Sequence, residues 1–258
     1  MKNLFSIEGK VAVVTGGSRG IGAMIARGFV EAGAKVYVSS RKREACEETV
    51  AELSRGGGSA VAIPADLGTE EGAKQLAAEV AKREAALHVL VNNAGATWGA
   101  PYAEFPDSAW DKVLALNVKG VFHLTRACLP LLERAARPGD PARVINTGSI
   151  DGLQAPLLET YAYSASKAAV HQLTRVLAHR LAPQNITVNA IAPGPFESKM
   201  MQETLERFRD VIVAGCPLGR IGEPEDMAGA AIYLASRAGA YLTGAVIPVD
   251  GGITTRHA

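Results

Sequence analysis

The sequence predicts an α/β fold: one domain built on a doubly wound parallel sheet with helices on both faces. Three observations carry this. Short apolar runs alternate with helix-length segments along the chain, the rhythm of parallel βαβ units. A glycine cluster, Thr15 to Gly22 (TGGSRGIG), separates the first apolar run from the first helix. No linker or shift of composition divides the 258 residues, a length that suits a single α/β domain.

Val11 to Thr15 (VAVVT) is a continuous apolar run, as in a strand buried on both faces. Ile21 to Ala32 follows as a helix with Gly33 as its stop signal. Lys35 to Ser40 is the second strand and Arg43 to Ser54 the second helix; Ala60 to Pro64 is the third strand and Glu70 to Glu84 the third helix. Val89 to Asn92, Arg143 to Asn146, Ile186 to Ile191 and Ala245 to Val249 complete the strands. Gly56-Gly57-Gly58 and Arg137 to Pro141 read as loops, and the basic stretch Arg134 to Arg143 as a solvated one. Pro193 to Pro224 breaks the alternation, and residues 194–216 within it are expected to form a lid over a substrate site. The expected domain is 1–258, with a dinucleotide-binding half to about residue 150 and a catalytic and substrate half beyond it.

Composition excludes several classes. Apolar residues at 48% and charged residues at 21% exclude a disordered tail and a collagen. Lys plus Arg (27) against Asp plus Glu (26) leaves a net charge of +1, so neither nucleic acid nor an anionic membrane surface is an expected partner. Cys46, Cys128 and Cys216 are scattered without a CxxC and read as free thiols of a reducing compartment. Met1 to Lys10 carries no apolar leader region, and the chain has no run of 18 uncharged apolar residues. A cytoplasmic protein is expected. No cluster of His, Cys and Asp points to a metal; His171 and His179 read as packing or surface residues.

The glycine cluster lies after a strand and opens a helix. There Gly16, Ser18, Arg19, Gly20, Ile21 and Gly22 can bring backbone and a helix N-terminus to a pyrophosphate. The GxxxGxG spacing makes a longer loop than the usual GxGxxG. The second strand ends Ser39-Ser40-Arg41, without the carboxylate that would hold a ribose 2′-hydroxyl. Arg19, Ser40 and Arg41 suit a 2′-phosphate instead, so NADP(H) is the expected cofactor.

Tyr163-Ser164-Ala165-Ser166-Lys167 is a YxxxK whose two ends share one helical face. Asn92-Asn93-Ala94-Gly95 follows the fourth strand, Asn117 lies mid-helix in LNVKG, Ser149 follows the fifth strand, and Pro193-Gly194 closes the sixth. The loops are expected at the carboxyl ends of strands, where open α/β sheets bind ligands. On these motifs, from Gly9 to Gly252, the chain resembles the short-chain dehydrogenase/reductase family. The resemblance implies a Rossmann-like fold and hydride transfer between a nicotinamide and a carbonyl or alcohol. It implies that Tyr163 is the acid/base and Lys167 its partner, also reaching the nicotinamide ribose. Ser149 would hold the substrate oxygen, and Asn117 would support a proton relay, although a local helix irregularity is the other reading of that residue. Asp66, before Leu67, matches the adenine contact; Asn92, Asn93, Ala94 and Gly95 match the loop beside the ribose. Free tyrosine titrates near pH 10, so Lys167 is expected to lower the Tyr163 pKa, with Ser149 bonding the developing oxyanion.

IAPGPFESKM (Ile191 to Met200), PADL (Pro64 to Leu67), GATWG (Gly95 to Gly99) and AYLTGAVIPVDG (Ala240 to Gly251) are similar to bacterial NADPH-dependent 3-oxoacyl-thioester reductases. This implies a substrate carried on acyl carrier protein or coenzyme A, and a homotetramer. Pro183-Gln184-Asn185 stands where many carrier-protein reductases have a basic residue, which leaves the carrier open. Trp98, Gln154, Leu157, Tyr161, Phe196 and Met200 are the candidate pocket residues. Two alternatives stay open: an NADP-dependent enzyme of another alcohol or ketone (polyol, sugar, steroid or xenobiotic), and a non-catalytic nucleotide-binding regulator. A Ser149/Asp151/His171 hydrolase lacks the GxSxG elbow.

Overall fold

The computed structural model describes residues 3–255. Seven parallel strands form one sheet in the order β3-β2-β1-β4-β5-β6-β7. They are β1 (Val11–Thr15), β2 (Lys35–Ser39), β3 (Ala60–Ala62), β4 (Val89–Asn92), β5 (Ala142–Thr147), β6 (Ile186–Pro193) and β7 (Val246–Val249). The helices are α1 (Gly20–Glu31), α2 (Arg43–Ser54), α3 (Glu70–Ala81), α4 (Asp107–Leu114), α5 (Val121–Ala135), α6 (Tyr161–Leu181), α7 (Gln202–Gly215) and α8 (Pro224–Ala235).

Alternate residues of each strand feed two cores, as the period of two requires. Ala12 and Val14 of β1 join α1 and α8 through Ile25, Phe29, Met227 and Ala231. Val11 and Val13 face the other way, towards Leu76 and Val80 of α3 and Leu124 and Cys128 of α5. With both faces covered, β1, β4, β5 and β6 are buried along their whole length. The strand order reverses between β1 and its neighbours β2 and β4, which opens a crevice at their carboxyl ends.

One expectation needs correction. Arg143 is not solvated. Its side chain is 1% exposed and donates from Nε to the Leu234 carbonyl at 3.1 Å and from Nη2 to the Ser236 carbonyl at 2.9 Å. A cation there satisfies carbonyls left unpaired at the C-terminus of α8. Within 194–216, α7 occupies the second half and is bent at Phe208 (φ −131°).

Candidate active site

The loops after β1, β2, β3, β4, β5 and β6 converge on one cleft of about 1270 Å³. Gly16 and Gly20 have φ of +62° and +52°, conformations that favour glycine. A Cβ at Gly22 would stand 2.3 Å from the Gly16 carbonyl oxygen, so the turn closes only around a bare backbone. Helix α1 starts at Gly20 with no side-chain cap and no acidic residue in its first turn. Its free N–H groups and positive dipole end therefore face the cleft unopposed. Thr15 Oγ1 accepts from the amides of Asn93 (2.9 Å) and Ala94 (3.0 Å), and Asn93 Nδ2 donates to the Thr15 carbonyl (2.9 Å). The glycine loop and the NNAG loop are thus one rigid unit.

Gly16, Ser18, Arg19, Gly20, Ile21, Ser40, Arg41, Leu67, Asn93, Ala94, Gly95, Pro193 and Gly194 line the cleft, and Lys42 joins the cationic edge. Gly22 lies behind the loop. Asp66 is exposed between lining residues Ala65 and Leu67 and accepts the Gly68 amide at 3.0 Å. Asn92 is buried beneath the loop, donating to Thr125 Oγ1 (3.0 Å) and Asn146 Oδ1 (2.9 Å). The uncapped helix start, the glycine cradle and the cationic end of β2 fit a pyrophosphate and a 2′-phosphate.

Ser149, Tyr163 and Lys167 meet at the inner end of the same cleft. Lys167 is buried on α6 and donates from Nζ to the Thr147 carbonyl at 2.7 Å. Burial pulls its ammonium down to about 8, with Asp151 acting in the opposite sense. Burial pushes the Tyr163 phenol up to about 12; its hydrogen bond with Ser149 lowers it and the charge on Asp151 raises it. Burial outweighs the Ser149 hydrogen bond, so the phenol is protonated at neutral pH. Ser149 Oγ accepts the Asp151 amide at 3.1 Å, and its hydroxyl is the partner of the Tyr163 phenol.

Asn117 does not sit in regular helix. It occupies a π-helical segment, Ala115–Gly120, between α4 and α5. The widened turn directs its side chain inward. There Oδ1 accepts the Ala96 amide (2.8 Å) and Nδ2 donates to the Ala96 carbonyl and Ser166 Oγ (both 2.9 Å). A π-segment at such a place is a common device of functional sites. A Cβ at Gly95 would lie 3.4 Å from Asn117 Oδ1 and 3.8 Å from Lys167 Nζ, so the three residues close together around the lysine.

On the substrate side, Gln154, Leu157, Phe196 and Met200 line the cleft, with Met201, Val211 and Ile212 from the lid segment. Trp98 does not wall it: the ring turns outward beneath Lys112 Nζ, 5.1 Å from its centroid. Tyr161 faces a separate groove with Tyr102 and Phe105. His179 is exposed, whereas His171 is buried against the Ser149 turn. Lys42, Thr15 and Thr147 lie at the cleft or under its loops without having been singled out by pattern, and Asp151, named only in the hydrolase reading, also lines it. Thr147 contributes only a backbone carbonyl, so no side-chain motif marks it. Thr15 carries a readable signal, a hydroxyl residue ending the strand before a glycine loop.

Residues 16–254 match the family described as enoyl-(acyl carrier protein) reductase. The chain is 50% identical to the rhamnolipids biosynthesis 3-oxoacyl-[acyl-carrier-protein] reductase of Pseudomonas aeruginosa, over 98% of this chain and 99% of that protein. It is 38% identical to the galactitol 2-dehydrogenase (L-tagatose-forming) of Cereibacter sphaeroides, over 98% of each. The structure of the Pseudomonas aeruginosa RhlG/NADP active-site complex superposes with a TM-score of 0.94, at 50% identity, covering 98% of this chain and all of that one. Fold, motif set and relatives agree, and the chain belongs to the short-chain dehydrogenase/reductase family.

Proposed function

We propose that this protein is an NADPH-dependent reductase of 3-oxoacyl thioesters, yielding 3-hydroxyacyl thioesters. The observation that carries the reading is the meeting of Ser149, Tyr163 and Lys167 in a cleft whose substrate side includes Leu157, Met200, Val211 and Ile212, with Lys199 and Glu203 beside them. NADPH held by the glycine loop, Arg19, Ser40 and Arg41 supplies the hydride.

The remaining chemistry belongs to the chain. Ser149 donates a hydrogen bond to the 3-oxo oxygen and holds it beside Tyr163. Tyr163, protonated throughout the neutral range, delivers its proton to that oxygen as negative charge develops there. The Lys167 ammonium stabilises the phenolate left behind, which is then reprotonated from solvent along the path that Asn117 keeps open. The carbonyl gains one hydride and one proton, and the C=O bond becomes CH–OH.

The same reading takes 1–258 as one domain with a dinucleotide half and a catalytic half, and residues 194–216 as its lid. It takes acyl carrier protein or coenzyme A as carrier, a homotetramer as the assembly and the cytoplasm as its place. Exposed Phe122 on α5, Val176 on α6 and Tyr241 before β7 support contacts between copies. Three unpaired thiols, Cys46, Cys128 and Cys216, support a reducing compartment.

One observation favours a second reading. Asp151 brings a carboxylate into the cleft, an acceptor suited to the hydroxyls of a polyol or sugar. Following NADPH at 340 nm with acetoacetyl-CoA and with a longer 3-oxoacyl-CoA, against galactitol with NADP⁺, separates the two. Turnover of the thioesters, rising with chain length, is the expected result; turnover of the polyol alone would replace it. Tyr163→Phe should retain NADPH binding and lose roughly 10²–10⁴-fold in turnover. Full turnover by that variant would sink the assignment of the proton donor.

A further inference from the structure

His171 is a buried titratable group that the reaction above does not use. It lies on α6 at the third position of a series, Tyr163, Lys167 and His171, each one turn beyond the last and all on one helical face. Its side chain reaches back under the turn that carries Ser149. His171 is 2% exposed and Ser149 is 7% exposed, so neither the ring nor the turn has room to drift.

The turn is shaped around the ring. A Cβ at Gly148 would stand 2.1 Å from His171 Nε2, and one at Gly152 would stand 2.9 Å from Cε1. The two residues that bracket Ser149-Ile150-Asp151 thus leave space that the imidazole fills. Three amides of the turn have acceptors of their own. The Gly148 amide donates to the Ile191 carbonyl at 2.7 Å, the Gly152 amide to the Ser149 carbonyl at 3.1 Å, and the Asp151 amide to Ser149 Oγ. The Ser149 amide points at His171 Nε2, 3.5 Å away. Burial, reinforced by the Lys167 ammonium and opposed by a backbone hydrogen bond at Gly152, holds the imidazole down to about 4, so the ring is neutral at physiological pH; in the tautomer protonated at Nδ1, Nε2 is the acceptor.

We infer that His171 is a positioning residue: it ties the Ser149 turn to the helix that carries Tyr163 and Lys167, and so sets the distance between the group that holds the substrate oxygen and the group that protonates it. Ser149 comes from the end of β5 and Tyr163 from α6. Lys167 Nζ to the Thr147 carbonyl (2.7 Å) and Asn146 Nδ2 to Thr174 Oγ1 (2.9 Å) join α6 to β5 below the turn, and the ring adds the contact at the Ser149 turn itself. A displacement of about 1 Å between reacting groups is enough to cost roughly a hundredfold in rate. The inference rests on Ser149 and Tyr163 as the reacting pair, but not on which carbonyl compound they reduce.

The test compares His171→Leu, which keeps apolar bulk without an acceptor, with His171→Gln, whose Oε1 can accept in the place of Nε2. The readouts are kcat and KM for whichever carbonyl substrate the wild type reduces, NADPH affinity by fluorescence, and hydrogen exchange of the 148–152 amides in the NADPH complex. We expect His171→Leu to lose about ten- to hundredfold in kcat, with NADPH affinity within about twofold of wild type and exchange of the Ser149 amide raised about tenfold. His171→Gln should recover most of the kcat and of the protection. Gly148→Ala retains the histidine but displaces it, and should reproduce the His171→Leu phenotype, which serves if that variant does not fold. Unchanged kcat and protection in His171→Leu or Gly148→Ala would overturn the inference. So would a His171→Gln that folds yet is as slow as His171→Leu. The exchange readout needs no substrate: failure of the wild type on every 3-oxoacyl thioester removes the substrate assignment, while an exchange contrast between the variants supports the role of His171 regardless.

Discussion

Lys167 and Tyr163 stand one turn apart on α6, the ammonium 5.4 Å from the ring centroid, and burial drives them in opposite directions. The phenol rises to about 12 and the ammonium falls to about 8. At neutral pH the pair is thus a neutral acid beside a cation, the state that reduction of a carbonyl requires.

The alkaline side of the pH profile should therefore belong to Lys167. A lysine whose pKa is lowered to about 8 is charged below that value and neutral above it, so turnover is expected to hold through neutrality and decline as the pH passes about 8. Lys167→Arg keeps its charge over that range. Its turnover should be lower but free of the decline. A profile of kcat against pH for both proteins makes the comparison; a decline that persists in the arginine variant would remove Lys167 as its origin.

Arg41 should set the preference between phosphorylated and unphosphorylated cofactor. It lines the cleft at the end of β2, where no carboxylate stands to hold a ribose hydroxyl. A hydrogen bond to a charged group contributes about 1.5–3 kcal/mol, so Arg41→Ala should raise KM for NADPH roughly ten- to hundredfold. KM for NADH should move by less than about threefold, because the lost partner is the 2′-phosphate alone. Equal losses with both cofactors would place the arginine elsewhere on the dinucleotide.

Gly22→Ala should damage the loop rather than the chemistry. The added Cβ meets the Gly16 carbonyl oxygen at 2.3 Å and Asn93 Nδ2 at 2.4 Å, and both are fixed by neighbouring hydrogen bonds. Overpacking of this kind costs about 1–3 kcal/mol or more. A urea midpoint shifted by that amount, with NADPH affinity reduced in parallel, is the expected outcome.

Asn117→Ala leaves the Ala96 amide and carbonyl without their buried partner. The expected loss of stability is about 1–3 kcal/mol, with a fall in turnover as the loop beside Lys167 loosens. Denaturation and steady-state assays on one preparation test both; unchanged turnover at reduced stability would confine Asn117 to the fold.

The acid side of the stability curve should belong in part to His171. Its folded pKa of about 4 lies below the ordinary 6.5, so the unfolded chain takes up the proton first as pH falls. The native state carries no such penalty above about 6.5 and loses stability progressively from there to about 4. His171→Gln has nothing to titrate, and its urea midpoint should change less between these limits than that of the wild type.

Much of this was legible in the residues. The expected bounds of β1, α2 and β4 coincide with those observed, because each is a run of one periodicity between clear breakers. Gly16, Gly20, Arg41, Ser149, Tyr163 and Lys167 all fall on one cleft because strand–loop–helix order places every such loop at the same sheet edge. Local pattern failed where the partner is distant. Arg143 sits in a basic, proline-flanked stretch and pairs with nearby Asp140, yet what buries it are the carbonyls of residues 234 and 236. Trp98 follows the NNAG loop but turns to Lys112. Asn117 reads as helical because no residue type marks a π-turn.

Sequence by itself determined the fold and the family, and singled out the glycine-loop and YxxxK residues that line one cleft. Those depend on residue type and spacing along one chain segment, and periodicity and glycine placement record them directly. Only the tertiary structure decided the protonation of Tyr163 and Lys167, the inward aim of Asn117 and the wedge of His171 beneath Ser149. Each is set by desolvation or by contacts between segments tens of residues apart. Electrostatics and packing of that kind depend on what surrounds a group in space, and nothing in its neighbours along the chain encodes it.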